Sequence, residues 1–98
     1  MPRYILSPNA QGSLRRIKAY SLEHFGEEQT VAYLRLLEKK LQTMAENPDI
    51  GRKREEVKKG YFSFLAGSHI IFYRKAKNHI EVIDILHQGM DPYRHLTV

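Results

Sequence analysis

The chain is short, basic and free of cysteine. It has 98 residues, with 16 Lys and Arg against 11 Asp and Glu, and a net charge of +5. This length predicts one domain over residues 1–98. No stretch approaches the ~20 apolar residues of a membrane span, and the N-terminal apolar run is too short for a signal peptide. The lack of cysteine excludes disulfides, thiolate zinc sites and cysteine nucleophiles, and it suits a cytoplasmic protein.

The positive charge is concentrated in the second half of the chain. Residues 1–49 carry a net charge of +1, whereas residues 50–98 carry +4. A basic surface favours an acidic partner, either nucleic acid or an acidic protein segment. A solvated basic face that only improves solubility explains the charge equally well.

A strand and a helix are predicted first. The apolar run at residues 3–7 is typical of a short strand, and Pro8 stops it. Either Ser7 or Asn9 suits the N-cap of a helix, with Pro8 in its first turn. Apolar and small residues then recur three and four positions apart, which predicts an amphipathic helix that ends at Gly26.

A second helix is predicted directly after Gly26. Glu27 and Glu28 suit its positively polarised N-terminus, and Asn47 followed by Pro48 ends it. Its apolar stripe consists of Val31, Leu34, Leu37, Leu41 and Met44. A single glycine between two such helices predicts an antiparallel helical hairpin.

The second half of the chain is rich in aromatic and β-branched residues. Strands are predicted over residues 60–65, 69–74 and 79–86, joined by four-residue polar loops into a meander. Residues 52–57 form either a short edge strand or a loop. In the last strand Glu81 and Asp84 fall on opposite faces, so one of these charges must reach an edge or a partner.

This order of elements predicts the fold class. It is α+β with two layers, β-α-α-β-β-β, in which the helical hairpin packs on one face of a mainly antiparallel sheet. The other face of the sheet is left open. That face and the sheet edges are where a partner is expected to bind.

Six sequence blocks, in order along nearly the whole chain, indicate a family. They read YxLSPxA at residues 4–10, FGEEQ at 25–29, NPxIGR at 47–52, GYxSF at 60–64, HxIFYR at 69–74 and IxILHxxMD at 83–91. In these blocks the chain resembles the ParE toxin branch of the RelE/ParE superfamily, from bacterial type II toxin–antitoxin pairs. The resemblance implies the same β-α-α-β-β-β fold and a cytoplasmic toxin held inactive by a ParD-like antitoxin.

The resemblance also implies a target. ParE-like toxins are linked with poisoning of DNA gyrase, here expected through its A subunit, whereas RelE-like relatives cut messenger RNA in the ribosome. A third alternative is an inactive homologue that acts only as a co-repressor with its antitoxin. In each case the toxin is expected in a hetero-oligomer with the antitoxin, and it meets operator DNA only through that antitoxin.

The residues favour a binding inhibitor over an RNA-cleaving enzyme. Ribonuclease chemistry needs a general base, a general acid and clustered cations. Candidates for these roles are Arg52, Arg54, Lys58, Lys59, Arg74, His87, His95, Tyr61 and Tyr93. However, Glu55 and Glu56 interrupt the basic run, and Met90 and Asp91 stand where RelE-like chains usually carry a Tyr or His among basic residues. We therefore predict no catalytic residues.

Two sets of binding residues are predicted from the resemblance and the charge. The gyrase-contacting set is Arg52, Arg54, Tyr61, Arg74, His87, Met90, Asp91, Tyr93 and Arg94. The antitoxin-contacting set is Tyr20, Tyr33, Leu36, Phe64, Ile71 and Tyr73, because docking of a partner segment needs apolar anchors at regular spacing. Gly89 stands where family members often carry Arg, which removes one cation from the expected gyrase contact.

The C-terminal stretch ILHQGMDPYRHL, residues 85–96, is predicted to turn and then form a short helix. Gly89 permits a positive φ, and Asp91 can cap a helical turn that contains Pro92. Met90 either covers a small core or projects towards a partner. His87 and His95 lie eight positions apart across a proline, a spacing that does not favour a metal site, so no metal and no cofactor is predicted.

Overall fold

The computed structural model describes residues 3–96 and confirms an α+β fold. Its elements are β1 (Tyr4–Leu6), α1 (Pro8–Glu46), β2 (Arg52–Lys53), β3 (Tyr61–Ala66), β4 (His69–Ala76), β5 (His79–His87) and α2 (Pro92–Leu96). The five strands form one sheet in the order β1-β5-β4-β3-β2. β1 runs parallel to β5, and the other three pairings are antiparallel. Residues 52–57, which the sequence left undecided, are a two-residue edge strand followed by a loop.

The two hairpins of the meander are tighter than expected. Their loops contain two residues each, at 67–68 and 77–78, so the prediction of four-residue loops is wrong. Gly67 and Asn78 adopt positive φ values of 61° and 69°, the conformation that short hairpin turns require. The shorter loops leave room for longer strands.

The helical hairpin lies within α1, which bends sharply at one residue. Gly26 has φ 84° and ψ 174° and separates a first arm, residues 8–25, from a second arm, residues 27–46. Thr30 Oγ1 donates to the Gly26 carbonyl oxygen at 2.7 Å and lies 2.9 Å from Ser21 Oγ. At the other end of the first arm the Ala10 N–H donates to Ser7 Oγ at 3.0 Å, which confirms Ser7 as the N-cap. Side-chain hydrogen bonds therefore fix both ends of the first arm.

The core lies between α1 and one face of the sheet. It is formed by Ala10, Leu37, Leu41, Met44 and Ala45 of α1 with Ala66, Ile71, Tyr73, Ile80, Val82 and Ile85 of the sheet. Val31, predicted in the same stripe, is exposed instead. The buried stripe runs through Thr30 instead, one position earlier, and this turns Val31 away from the core.

A buried tyrosine fastens the segment that leaves the second arm. The Tyr73 hydroxyl donates to the Pro48 carbonyl oxygen at 2.9 Å and accepts from the Gly51 N–H at 2.9 Å. A Cβ on Gly51 would lie 2.8 Å from Tyr73 Cε1, so only glycine permits this close approach. Burial raises the pKa of Tyr73. This contact holds residues 48–51 against the sheet.

The second face of the sheet, expected to be open, is partly covered. Strand alternation places Tyr61 and Phe72 on the face opposite the core, yet both are buried. The Arg54 guanidinium lies over the Phe72 ring at 5.2 Å and donates to Ser63 Oγ at 3.2 Å. Val57, in the same connection, is also buried. The connection at residues 54–60, hereafter the cover loop, therefore covers part of the second face. The prediction that this face is left open is corrected accordingly.

Candidate partner-binding groove

A large open groove lies between the helical hairpin and the C-terminal end of β5. Its volume is about 1160 Å³, and its apolar lining includes Ile17, Tyr20, Phe25, Tyr33, Leu36, Leu86 and Met90. Tyr20 is 59% exposed, Phe25 57% and Met90 40%. Large apolar side chains gathered at a concave surface mark a site for a protein partner more often than a single exposed residue does.

The aromatic side chains at the end of the first arm form a preorganised cluster. Tyr20 and His24 stack with ring centroids 4.0 Å apart, and Phe25 meets Tyr20 edge-on at 6.4 Å. Tyr20 and His24 are one helical turn apart, so the helix itself sets their stacking. Rigid aromatic groups provide contact area with little loss of side-chain entropy on binding. The cluster is therefore suited to anchor a docked segment.

The floor of the groove contains a pair of histidines. His69 and His87 are direct neighbours across β4 and β5, and their rings meet edge to face with centroids 5.5 Å apart. Tyr33 of the second arm places its hydroxyl 2.5 Å from His69 Nδ1. Burial, and secondly the neighbouring His87, lower the pKa of His69.

A buried carboxylate closes one side of the groove. Asp84 Oδ1 accepts from Ser13 Oγ at 2.5 Å and from the Ile85 N–H at 2.7 Å. Arg16 donates to Ser13 Oγ at 3.1 Å, which extends the network to the surface. The pairing of β1 with β5 ends at Val82, so Asp84 satisfies a backbone group that no strand partner reaches. The sequence predicted that Glu81 or Asp84 must reach an edge, and Asp84 does so.

The predicted antitoxin-contacting residues fall into two groups. Tyr20, Tyr33 and Leu36 line the groove. Ile71 and Tyr73 have no exposed surface and belong to the core, so the prediction that they form part of a binding surface is corrected. Phe64 packs against the core under Lys40, whose Nζ lies 5.7 Å from the ring centroid. Alternation along β4 and β3 directs these three side chains towards α1 rather than outwards.

Four of the predicted gyrase-contacting residues share the second face of the sheet. Tyr61 pairs with Arg74 across the strands, and Arg52 pairs with Ser63, which Arg54 also contacts. Arg74 donates to Glu81 at 2.5 Å, and Arg54 donates to Glu56 at 2.6 Å. The hydrogen bond from Arg54 lowers the pKa of Glu56. Tyr61 is buried and the Arg54 side chain is only 16% exposed, so Arg52 and Arg74 are the accessible cations of this set.

The predicted gyrase-contacting residues of the C-terminal stretch lie elsewhere. His87 and Met90 line the groove, beside Tyr20 and Tyr33. Asp91 caps α2, since its Oδ1 accepts from the Tyr93 N–H at 2.9 Å. Tyr93 and Arg94 are exposed on that short helix. The sequence missed the groove as a unit, because it forms only when the bend at Gly26 brings the first arm opposite the end of β5.

Residues 3–96 offer no sign of a metal centre or a membrane segment. Within this part of the chain no three His, Cys, Asp or Glu side chains come close enough to hold an ion. None of its helices is long and apolar enough to cross a membrane.

The structure is a small α+β protein with a large, mostly apolar open groove. Over residues 4–92 the chain matches the family model for the ParE toxin of the type II toxin–antitoxin system parDE. The chain belongs to the ParE toxin family and is a ParE-type toxin of a type II toxin–antitoxin system.

Relatives along nearly the full length support this assignment. The chain is 42% identical over 95 residues to Toxin ParE1 of Mycobacterium tuberculosis, covering 96% of this chain and 97% of the relative. It is 38% identical over 96 residues to Toxin ParE1 of Caulobacter vibrioides, covering 98% and 99%. A solved structure described as the chromosomal ParDE TA system from P. aeruginosa matches the fold with a TM-score of 0.75, at 13% identity and over 89% of this chain and 95% of that one.

Proposed function

We propose that the protein inhibits DNA gyrase by binding it, without chemistry of its own, and that a ParD-like antitoxin neutralises it by filling the groove. The observation that carries the antitoxin half is the exposed aromatic lining between the two arms, in a chain that belongs to the ParE family. Both proteins act together in a hetero-oligomer, and the toxin reaches operator DNA only through the antitoxin.

The dimensions of the groove favour a helical segment of the antitoxin. The residues of the first arm that line it run from Ser13 to Phe25, a rise of roughly 18 Å at ~1.5 Å per residue. That length accommodates about three turns of helix. Tyr20, Tyr33 and Leu36 then provide apolar anchors on both arms, as helix-in-groove recognition requires.

The proposal of a gyrase contact rests on two exposed surfaces, the second face of the sheet and α2. Arg52 and Arg74 are exposed cations of the second face, with Arg74 paired to Glu81, and α2 presents Tyr93 and Arg94. Burial of an aromatic side chain beside arginine is the combination most often found at binding hot spots. Met90 belongs to both proposed surfaces: it is a predicted gyrase contact, and it lines the groove that the antitoxin would fill.

A supercoiling assay with purified gyrase tests the gyrase half of the proposal. The antitoxin-free protein is expected to inhibit supercoiling, and Arg52→Gln with Arg94→Gln is expected to weaken inhibition. Lys39→Gln is the matched control, since Lys39 is an exposed cation of α1 outside both surfaces. If the double variant inhibits supercoiling as strongly as the unaltered protein, these two arginines do not contact gyrase.

Other outcomes separate the alternatives. Absence of inhibition, combined with transcript cleavage in cells that His87→Ala abolishes, would establish a ribonuclease. Absence of both activities, with antitoxin binding retained, would establish a co-repressor. For the antitoxin half, Leu36→Glu places a charge in the groove and is expected to abolish binding of a ParD-like antitoxin, whereas Leu65→Glu, an exposed position on β3, leaves it unchanged.

A further inference from the structure

We propose that the groove accepts its partner only when both histidines on its floor, His69 and His87, are uncharged, so that acidification weakens docking. The inference rests on the proposed function, because it concerns the segment that fills the groove. The partner segment that fits this inference places apolar, uncharged side chains over the histidine pair.

The sheet forces the two rings together. His69 begins β4 and His87 ends β5, and the two residues are paired across the strands. Their ring centroids are 5.5 Å apart and the ring planes are perpendicular. Two positive charges directly opposite each other on a strand pair repel. The strand pairing keeps the two residues side by side at the end of the ladder.

His87 uses its Nδ1 as a hydrogen-bond acceptor. The Gly89 N–H donates to this nitrogen at 3.1 Å, so it carries no proton and the neutral ring is protonated at Nε2. A charged ring is protonated on both nitrogens. Charging His87 places its Nδ1–H against the Gly89 N–H and removes this hydrogen bond from the turn, which then keeps the bond from the Met90 N–H to the His87 carbonyl oxygen at 2.9 Å.

His69 is an acceptor as well. The Tyr33 hydroxyl accepts from the Ser68 N–H at 3.1 Å, and its shortest contact is to His69 Nδ1 at 2.5 Å, against 3.2 Å to Ser68 Oγ and 3.5 Å to the Ala66 carbonyl oxygen. We assign the hydroxyl proton to this shortest contact, which makes His69 Nδ1 the acceptor. Charging His69 reverses this bond and leaves the tyrosine proton with only longer contacts.

The groups around the pair do not favour a positive charge. Arg16 from the first arm and His95 from α2 line the same groove and add positive rather than negative potential. Asp84 is the one carboxylate among the lining residues of the described chain, and Ser13 already donates to it. No ion pair within residues 3–96 joins His69 or the ring beside it to a carboxylate.

A docked apolar segment excludes water from both rings and makes a charge there still less favourable. The neutral pair is then the form that binds, and acidification weakens binding. A partner that instead laid a carboxylate on the pair would bind more tightly as the pH falls. The sign of the pH dependence therefore reports which chemistry covers the histidines.

The probe is a helical peptide selected by display at pH 7.5 from a library that contains Asp and Glu but no His. Selection uses the full chain, with counter-selection against Leu36→Glu to retain groove binders. The dissociation constant is measured by fluorescence anisotropy from pH 7.5 to 5.5 at fixed ionic strength. It is expected to rise as the pH falls, by up to about tenfold per pH unit for each proton released. The double variant His69→Gln with His87→Gln is expected to lose most of this rise.

Each outcome decides something. Groove binding that is independent of pH, or that tightens on acidification, overturns this inference and leaves the proposed docking site standing. Failure to select any groove-binding peptide counts against the docking site itself and against the inference with it. If the double variant does not fold, the imidazole Hε1 resonances of the unaltered protein are titrated with and without peptide. Titration midpoints that do not move to lower pH on binding overturn the inference.

Discussion

Replacement of Gly26 by alanine tests whether the bend between the two arms is set by backbone conformation alone. Gly26 has φ 84° and ψ 174°, a region that only glycine visits readily. A Cβ built on Gly26 meets no atom within 4 Å. The change therefore adds no clash, and any loss of stability comes from the backbone. Gly12→Ala is the matched control, because Gly12 lies inside the first arm with helical geometry.

The expected effects have opposite signs. A residue other than glycine in this region costs about 1–3 kcal/mol, which for a domain of this size lowers the Tm by roughly 4–8 °C per kcal/mol. At Gly12 an alanine favours the helix by about 0.5–1 kcal/mol. Its Cβ would lie 3.4 Å from Arg16 Nη1, the mobile end of an exposed side chain, so the gain is retained.

Thermal and urea unfolding, followed by circular dichroism, measure both changes. Size-exclusion chromatography accompanies them, since alanine also favours a continuous helix that would carry the second arm away from the first. If Gly26→Ala unfolds at the same temperature as the unaltered protein and keeps its size, the bend does not depend on glycine and the reasoning fails. A destabilised Gly12→Ala would show that the helix gain is outweighed by side-chain crowding.

Three further changes probe the packing and the groove. Tyr73→Phe removes the hydroxyl that bonds Pro48 and Gly51, and it is expected to lower the free energy of unfolding by about 1–3 kcal/mol in urea titrations; an unchanged midpoint would contradict it. Asp84→Ala leaves buried donors unpaired and is expected to cost about 1–3 kcal/mol, whereas Asp84→Asn keeps an acceptor and costs less; equal losses would show that charge, not hydrogen bonding, matters. The pKa of His69 is lowered in the folded state, so the stability that neutral His69 contributes is present above about pH 6.5 and is lost as the pH falls. The decrease in Tm between pH 7.5 and 5.5 should therefore be smaller in His69→Gln than in the unaltered protein. An identical decrease would refute this.

Local sequence signals were sufficient for the order of the elements. Ser7 and Pro8 marked the start of α1, and Gly26 marked the bend, because capping and positive φ depend on the residues at the site itself. Asp91 was identified as a cap for the same reason. These features are encoded over three or four positions, so one sequence reveals them.

Features that depend on distant contacts were not predicted. Ile71 and Tyr73 alternate with Phe72 along β4, and the sequence alone does not say which side of the strand α1 covers. Phe72 is also buried, under a loop whose position depends on the contact of Arg54 with Ser63. The groove escaped prediction because its walls come from segments about sixty residues apart in sequence that only the folded chain brings together.

The cover loop separates the exposed surface of the second face from the buried aromatic side chains beneath it. A macromolecule that approaches the second face meets Arg54 and the loop before it meets the strands, and the aromatic layer beneath is shielded from it. A substitution at an exposed loop position such as Lys59 therefore changes the surface that a partner meets without disturbing the hydrophobic interior, whereas Lys58 lies over the buried Tyr61 ring. Such substitutions leave the groove unchanged, because the groove lies on the opposite side of the sheet.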